Sequence, residues 1–249
     1  MHIRPAVEKS VLVPVAIVLL FSLVFVTGYH FVHLPQQQEI AVLARQVGQR
    51  IIVIDPGHGG FDGGAKGVSG VTEEEVVLAI GRHLAEHLRQ VGAKVFLTRD
   101  SDEELAEDKV EDLDARCQLA EEVGADIFIS IHANSFPSPY EFGAQTFYTD
   151  NHLASEQLAV AIQNVLVEGI DVLGYNYREA MQADYYILRQ VTRPAVLIEV
   201  GFLSNPREEL LLNQPVYQQK LAWCIFVGIV RFFTAHAYEE GIGEVGRIF

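Results

Sequence analysis

Residues Ile51 to Gly60 read IIVIDPGHGG, an apolar strand pattern that ends in an acid, a Pro-Gly turn and a histidine set among glycines. The same arrangement returns in Asp126 to Asn134 (DIFISIHAN) and in Ala195 to Asn205 (AVLIEVGFLSN). Each run places a metal-binding or acid/base side chain where the hydrophobic pattern stops. In an open α/β sheet, ligands collect outside the carboxyl ends of the strands, so His58, His132 and Glu199 can converge despite their separation along the chain.

Strand and helix patterns alternate around these stretches. Strands are expected at Arg50 to Asp55, Lys94 to Thr98, Asp126 to His132, Ala144 to Tyr148 and Ala195 to Val200. Helical patterns cover Thr72 to Val91, Leu113 to Val123, Leu153 to Val167 and Tyr217 to His236. That order predicts an α/β fold, a mixed, mostly parallel sheet with helices on both faces. Residues 50–236 are the expected catalytic domain, of ordinary size for a single core, and 237–249 a polar tail.

Ahead of the domain, Val11 to Leu34 (VLVPVAIVLLFSLVFVTGYHFVHL) holds no acid, lysine or arginine and follows Arg4 and Lys9. A signal-peptide core is about 7 to 15 residues long whereas a membrane helix needs about 20, so 1–34 is expected to be a cytoplasmic stub and an uncleaved transmembrane anchor. The positive-inside rule then puts everything after Leu34 on the extracytoplasmic side of the cell membrane, as a single-pass protein with a linker at 35–49. The rival is secretion after cleavage behind Ala44, a site far beyond the apolar run.

A formal net charge of −15 without a basic stripe excludes a nucleic-acid partner. Asp100 to Asp114 (DSDEELAEDKVEDLD) reads as the solvated start of a helix, because a calcium loop needs regularly spaced oxygens and a glycine at its turn. Cys117 and Cys224 fall in helical patterns without ligand spacing and read as structural.

A metal site built on two histidines calls for a carboxylate, and Thr72 to Glu75 (TEEE) offers three at a helix start. Glu73, Val77, Ile80, Leu84, Leu88 and Val91 follow helical spacing, which aligns Glu73 with the core face and leaves Glu74 and Glu75 toward solvent. His83 to His87 (HLAEH) matches a zinc-peptidase pattern, but it sits in the middle and end of that helix and leaves the strand-end motifs without a role. The glycines of Asp55 to Gly67 (DPGHGGFDGGAKG) lack phosphate-loop spacing and instead position His58.

Taken together, IVIDPGHGG, TEEE, ISIHAN and IEVGFLSNP resemble the zinc-dependent N-acetylmuramoyl-L-alanine amidases of bacterial cell walls, over about Arg50 to Ala235. The resemblance implies a Zn2+ cofactor held by His58, Glu73 and His132, with Glu199 as catalytic carboxylate. It implies peptidoglycan as substrate and hydrolysis of the amide between the lactyl group of N-acetylmuramic acid and L-alanine of the stem peptide. PSPYEFGAQTFY (137–148) and YILRQVTRPAVLIEVGFLSNP (186–206) are similar to the germination-specific spore cortex branch, which implies a role before muramic lactam formation. Glu74 departs from the family, which often has lysine there. Asn134, Arg99 and Arg189 are secondary candidates for substrate contacts. Two other readings stand beside this one: a zinc peptidase acting within the stem peptide, and a noncatalytic wall-binding protein. Partners are the wall and, through the N-terminal helix, the membrane, while the need for an activating protein is left open.

Overall fold

The structure is a computed structural model that describes residues 46–150, 152–170 and 176–245, with side chains described to 236, and also Pro14, Val15, Ile17, Leu19 and Ser22. The chain forms two compact units, Met1–Val42 and Leu43–Phe249. In the first, the five described residues are helical. The anchor expected at 1–34, most of the linker and the Ala44 cleavage site otherwise lie outside the described residues. Among the described residues, no helix is long and apolar enough to cross a membrane.

The second unit is built on a six-stranded sheet. Its elements are β1 (Ile51–Pro56), α1 (Glu73–Gln90), β2 (Lys94–Leu97), α2 (Lys109–Glu122), β3 (Ile127–Asn134), β4 (Gln145–Tyr148), α3 (Leu153–Gly169), β5 (Met181–Gln182), α4 (Tyr186–Gln190), β6 (Ala195–Phe202), α5 (Pro206–Leu212) and α6 (Pro215–Val245). The strand order is β2-β1-β3-β6-β4-β5. The first four strands run parallel, while β4 pairs antiparallel with β6 and β5 follows β4. The expected mixed, mostly parallel sheet is therefore present.

From β1 the chain passes through α1 to β2 on one side, then through α2 to β3 on the other side of β1. A reversal of this kind opens a crevice at the carboxyl ends of the two strands that flank it. Helices cover both faces. On one, α6 packs against α1 and α3, and α1 against β1, β2 and β3. On the other, α2 and α4 cover Val53, Phe128 and Leu197 together with Cys117, Leu188 and Val191. Burial on both faces explains why the central strands read as continuous apolar runs: all eight residues of β6 are buried. Cys117 and Cys224 are buried free thiols.

The differences from the sequence reading have local causes. Helix α2 begins four residues earlier than expected, because the Asp108 carboxylate accepts from Val110 N–H at 2.8 Å and Glu111 N–H at 3.2 Å and so caps it. Strands β3 and β6 run two residues past their expected ends at His132 and Val200, and Asn134 pairs with Phe202 beyond a bulge. The part of the polar tail up to Val245 continues the helix of α6, since AHAYEE (235–240) contains good helix formers and no proline. Strand β5 and helices α4 and α5 were not anticipated.

Candidate metal centre and catalytic cleft

Four sequence-selected side chains meet at the carboxyl ends of β1, β3 and β6. His58 follows β1, His132 lies in β3, Glu199 lies in β6 directly beside His132 in register, and Glu73 opens α1. The helical stripe works as expected: Glu73 is buried with Val77, Ile80, Leu84 and Leu88, and Glu75 is exposed.

Glu73 Oε1 lies 3.2 Å from His58 Nε2 and 2.9 Å from His132 Nδ1, and the two ring nitrogens are 3.2 Å apart. Backbone donors fix the carboxylate, with Ala133 N–H giving to Oε1 at 2.9 Å and Ala65 N–H to Oε2 at 2.8 Å. Burial opposes its charge, but the two imidazoles outweigh burial and hold the carboxyl below the ordinary range. The imidazole rings meet edge to face, their centroids 4.9 Å apart.

Two glycines make this convergence possible. A Cβ on Gly57 would stand 2.2 Å from the His132 ring, so only a bare backbone lets the turn pass beneath that imidazole. Gly64 has φ +66° and would put a Cβ 2.6 Å from Glu73 Oε2. His58 itself has φ +63°, a conformation uncommon outside glycine and a sign of strain held by the surrounding turn.

Two nitrogen lone pairs and a carboxylate oxygen directed at one another are mutually repulsive unless a proton or a cation lies among them. His58, Glu73 and His132 offer one donor atom each, all within 4.8 Å of one another. Donors around tetrahedral zinc, at bonds of about 2.0 to 2.2 Å, stand about 3.3 Å apart, so the three residues fit such an ion.

Glu199 faces the same space from β6. It is buried, and its Oε2 has no hydrogen-bond partner among the described residues. Burial pushes its carboxyl up to about 7; His132 and His58 oppose that rise and Glu73 adds to it. The cleft measures about 300 Å³ and also exposes Phe61, Tyr185 and Ile187 along an apolar wall. A carboxylate titrating near neutrality beside a metal-ligand set suits proton transfer.

Neither arginine candidate lines the cleft, and each is engaged elsewhere. Arg99 is buried and donates to the carbonyls of Pro56 (2.9 Å), Gly57 (2.8 Å), Ser101 (2.9 Å) and Glu74 (3.0 Å), clamping the His58 turn. Arg189 makes a surface ion pair with Asp184, and the Asn134 carbonyl accepts from Leu203 N–H at 2.8 Å. His87 packs against Trp223 and Phe226 of α6, and neither it nor His83 lines the cleft.

Glu74 is a correction. It was expected to face solvent, yet its Oε2 is buried without a partner among the described residues, and burial together with Asp102 raises its carboxyl. The cause is the acidic segment, which is more than a solvated helix start: it folds back over the glycine turn, where Asp102 Oδ1 accepts from Gly60 N–H at 2.8 Å.

Sequence reading passed over Asp55, Asp62, Asp112 and Arg116. Asp55 and Arg116 are a buried ion pair at 2.9 Å beneath the site, and Asp112 joins Arg116 at 2.6 Å. Only Asp62 carried a readable signal, as a carboxylate four residues after a candidate ligand in the same glycine-rich turn.

The N-acetylmuramoyl-L-alanine amidase family profile matches residues 52–231. The chain is 41% identical over 194 residues to the germination-specific N-acetylmuramoyl-L-alanine amidase of Bacillus subtilis, covering 74% of this chain and 80% of that protein. It is 32% identical over 228 residues to the amidase AmiA of Escherichia coli, covering 75% and 77%. Among solved structures, the CwlD amidase from Clostridioides difficile, in complex with the GerS lipoprotein, matches with a TM-score of 0.71 at 36% identity, over 75% of this chain and 100% of that one. Motifs, fold and likenesses agree: the chain belongs to the N-acetylmuramoyl-L-alanine amidase family, and its activity is amide hydrolysis in peptidoglycan.

Proposed function

We propose that His58, Glu73 and His132 hold a zinc ion and that Glu199 is the proton-transfer residue of the amidase. The observation that carries this reading is the convergence of three donor atoms, all within 4.8 Å, beside a buried carboxylate that has one oxygen without a partner among the described residues. When bound, zinc supplies Lewis acidity toward water and the lactyl carbonyl. Glu199 accepts a proton from the attacking water and returns it to the departing L-alanine nitrogen. The C–N bond breaks, a C–O bond forms, and the products are a lactyl carboxylate and a stem peptide with a free N-terminus. Phe61 and Tyr185 line the same cleft and offer the substrate an apolar wall beside the reacting groups.

The finer role follows the germination-specific relative: the substrate is cortex peptidoglycan of spores, before lactam formation. Val11 to Leu34 anchors the enzyme, residues 50–236 form the catalytic domain on the extracytoplasmic face, and a protein partner assists it, in keeping with the complex formed by CwlD.

Digestion of purified peptidoglycan with the full chain, with and without chelator and restored zinc, tests the reading by mass analysis. Zinc-dependent release of intact stem peptides beginning with L-alanine is expected. Shorter peptides, or turnover that persists after complete metal removal, would overturn it.

Gly57→Ala supplies a second check, because the new methyl cannot coexist with the His132 ring in its present place. Turnover is expected to fall on the order of 100-fold, as for a small misplacement of reacting groups, and the overpacking is expected to destabilise the chelated protein by about 1 to 3 kcal/mol.

A further inference from the structure

Asp62 closes the His58 turn through its backbone and through its side chain. Gly59 N–H donates to the Asp62 carbonyl at 2.8 Å, and Asp62 N–H donates back to Gly59 O at 3.2 Å, which closes the turn immediately after the left-handed His58. The Asp62 carboxylate uses both oxygens: Oδ2 lies 3.2 Å from His58 Nδ1 and 3.1 Å from Lys109 Nζ, and Oδ1 accepts from Gly64 N–H at 3.1 Å.

A neutral imidazole has one donor nitrogen and one acceptor nitrogen. Both ring nitrogens of His58 face a carboxylate oxygen at 3.2 Å. But Glu73 Oε1 already accepts from Ala133 N–H and lies closer to His132 Nδ1, at 2.9 Å each, so the His58 proton goes to Asp62 and the lone pair stays on Nε2, 3.2 Å from His132 Nδ1. We propose that Asp62 is a positioning residue that fixes the His58 tautomer and ring orientation required for zinc binding. The inference rests on the zinc reading given above. Lys109, the first residue of α2, steadies the far side of the same oxygen and ties the turn to the end of the acidic segment.

Asparagine cannot replace Asp62, although its shape is the same. Its single carbonyl oxygen can face His58 and Lys109 or face Gly64 N–H, and in either arrangement its NH2 group meets another donor. Loss of a carboxylate behind a ligand histidine typically lowers metal affinity about 10-fold to 100-fold.

The test uses the full chain as wild type, Asp62→Asn and Lys109→Met. Nitrogen-15 NMR of the histidine side chains in chelated protein reads the tautomer, and competition with a chromophoric chelator reads zinc affinity. Wild-type His58 is expected to carry its proton on Nδ1. Asp62→Asn is expected to mix the two tautomers and weaken zinc binding about 10-fold to 100-fold, with Lys109→Met within about threefold of wild type. A proton on Nε2 of His58 in the wild type overturns the role of Asp62, even if the variant fails to fold. Unchanged zinc affinity in folded Asp62→Asn overturns it as well. A wild type that takes up no zinc while His58 keeps Nδ1–H overturns the zinc reading and supports the positioning by Asp62.

Discussion

Glu199→Gln is expected to lower turnover of peptidoglycan by about 10²-fold to 10⁴-fold while zinc uptake stays at the wild-type level. The amide keeps the shape of the carboxylate but cannot accept the proton of water, and the donor atoms of His58, Glu73 and His132 are untouched. The same substitution has a second signature in the metal-free protein. Burial raises the Glu199 carboxyl from 4.5 to about 7, so the folded state holds this proton more tightly than the unfolded chain. Its stabilising contribution is fully present below pH 4.5 and is lost as pH rises to about 7. At about 1.4 kcal/mol per pH unit, that window corresponds to roughly 3 kcal/mol. Chelated wild type should therefore lose stability between pH 5 and pH 8 relative to chelated Glu199→Gln, as followed by thermal or urea unfolding. A cation at the ligand set favours the ionised carboxylate, so the comparison belongs to chelated protein. Wild-type turnover in the variant, or parallel pH profiles for the two chelated proteins, would remove Glu199 from its assigned place.

The site was legible because its chemistry sits where strong patterns end. The runs before His58 and His132, and the one containing Glu199, lie in strands buried on both faces, and periodicity alone put Glu73 on the core side of α1. What supports the site was not legible, since it depends on pairing across long chain separations. Asp55 and Arg116 are 61 residues apart, and neither residue type, alone in its segment, announces the other. The antiparallel place of β4 beside β6 is likewise a tertiary outcome. Strand β5 and helix α4 span two and five residues, too short for a period to register. Helix α5 is different: Asn205 caps it and Pro206 occupies its first turn, a start signal that was present in SNPREE (204–209) and overlooked.

Arg116→Met should destabilise the protein by about 3 to 5 kcal/mol at pH 7, the usual cost of leaving a buried charge without its partner. Arg116 and Asp55 are 2% and 1% exposed, so water cannot replace the lost guanidinium. In the wild type, burial opposes the Asp55 charge, but Arg116, Thr98, His132 and Ser130 outweigh it and hold the carboxyl below its ordinary value. That contribution is present above the ordinary carboxylate range and is lost as pH falls through the depressed folded value. Without Arg116 the balance reverses and Asp55 takes up a proton, so the gap between wild type and variant should narrow as pH falls from 7 to 4. Denaturant unfolding of the chelated proteins checks this. Adding Asp55→Asn to Arg116→Met should cost much less than Asp55→Asn alone, because the uncompensated charge is already gone. Strict additivity would mean that the two residues do not act as a pair. The guanidinium also donates to the carbonyls of Pro56 at 3.0 Å and His58 at 2.8 Å, so it anchors the backbone on either side of Gly57. Arg116→Lys keeps one charge and loses the planar fork that reaches Asp55, Asp112 and both carbonyls together. It should therefore retain more stability than Arg116→Met and still weaken zinc binding, because the turn that presents His58 is held by the fork and not by the charge alone.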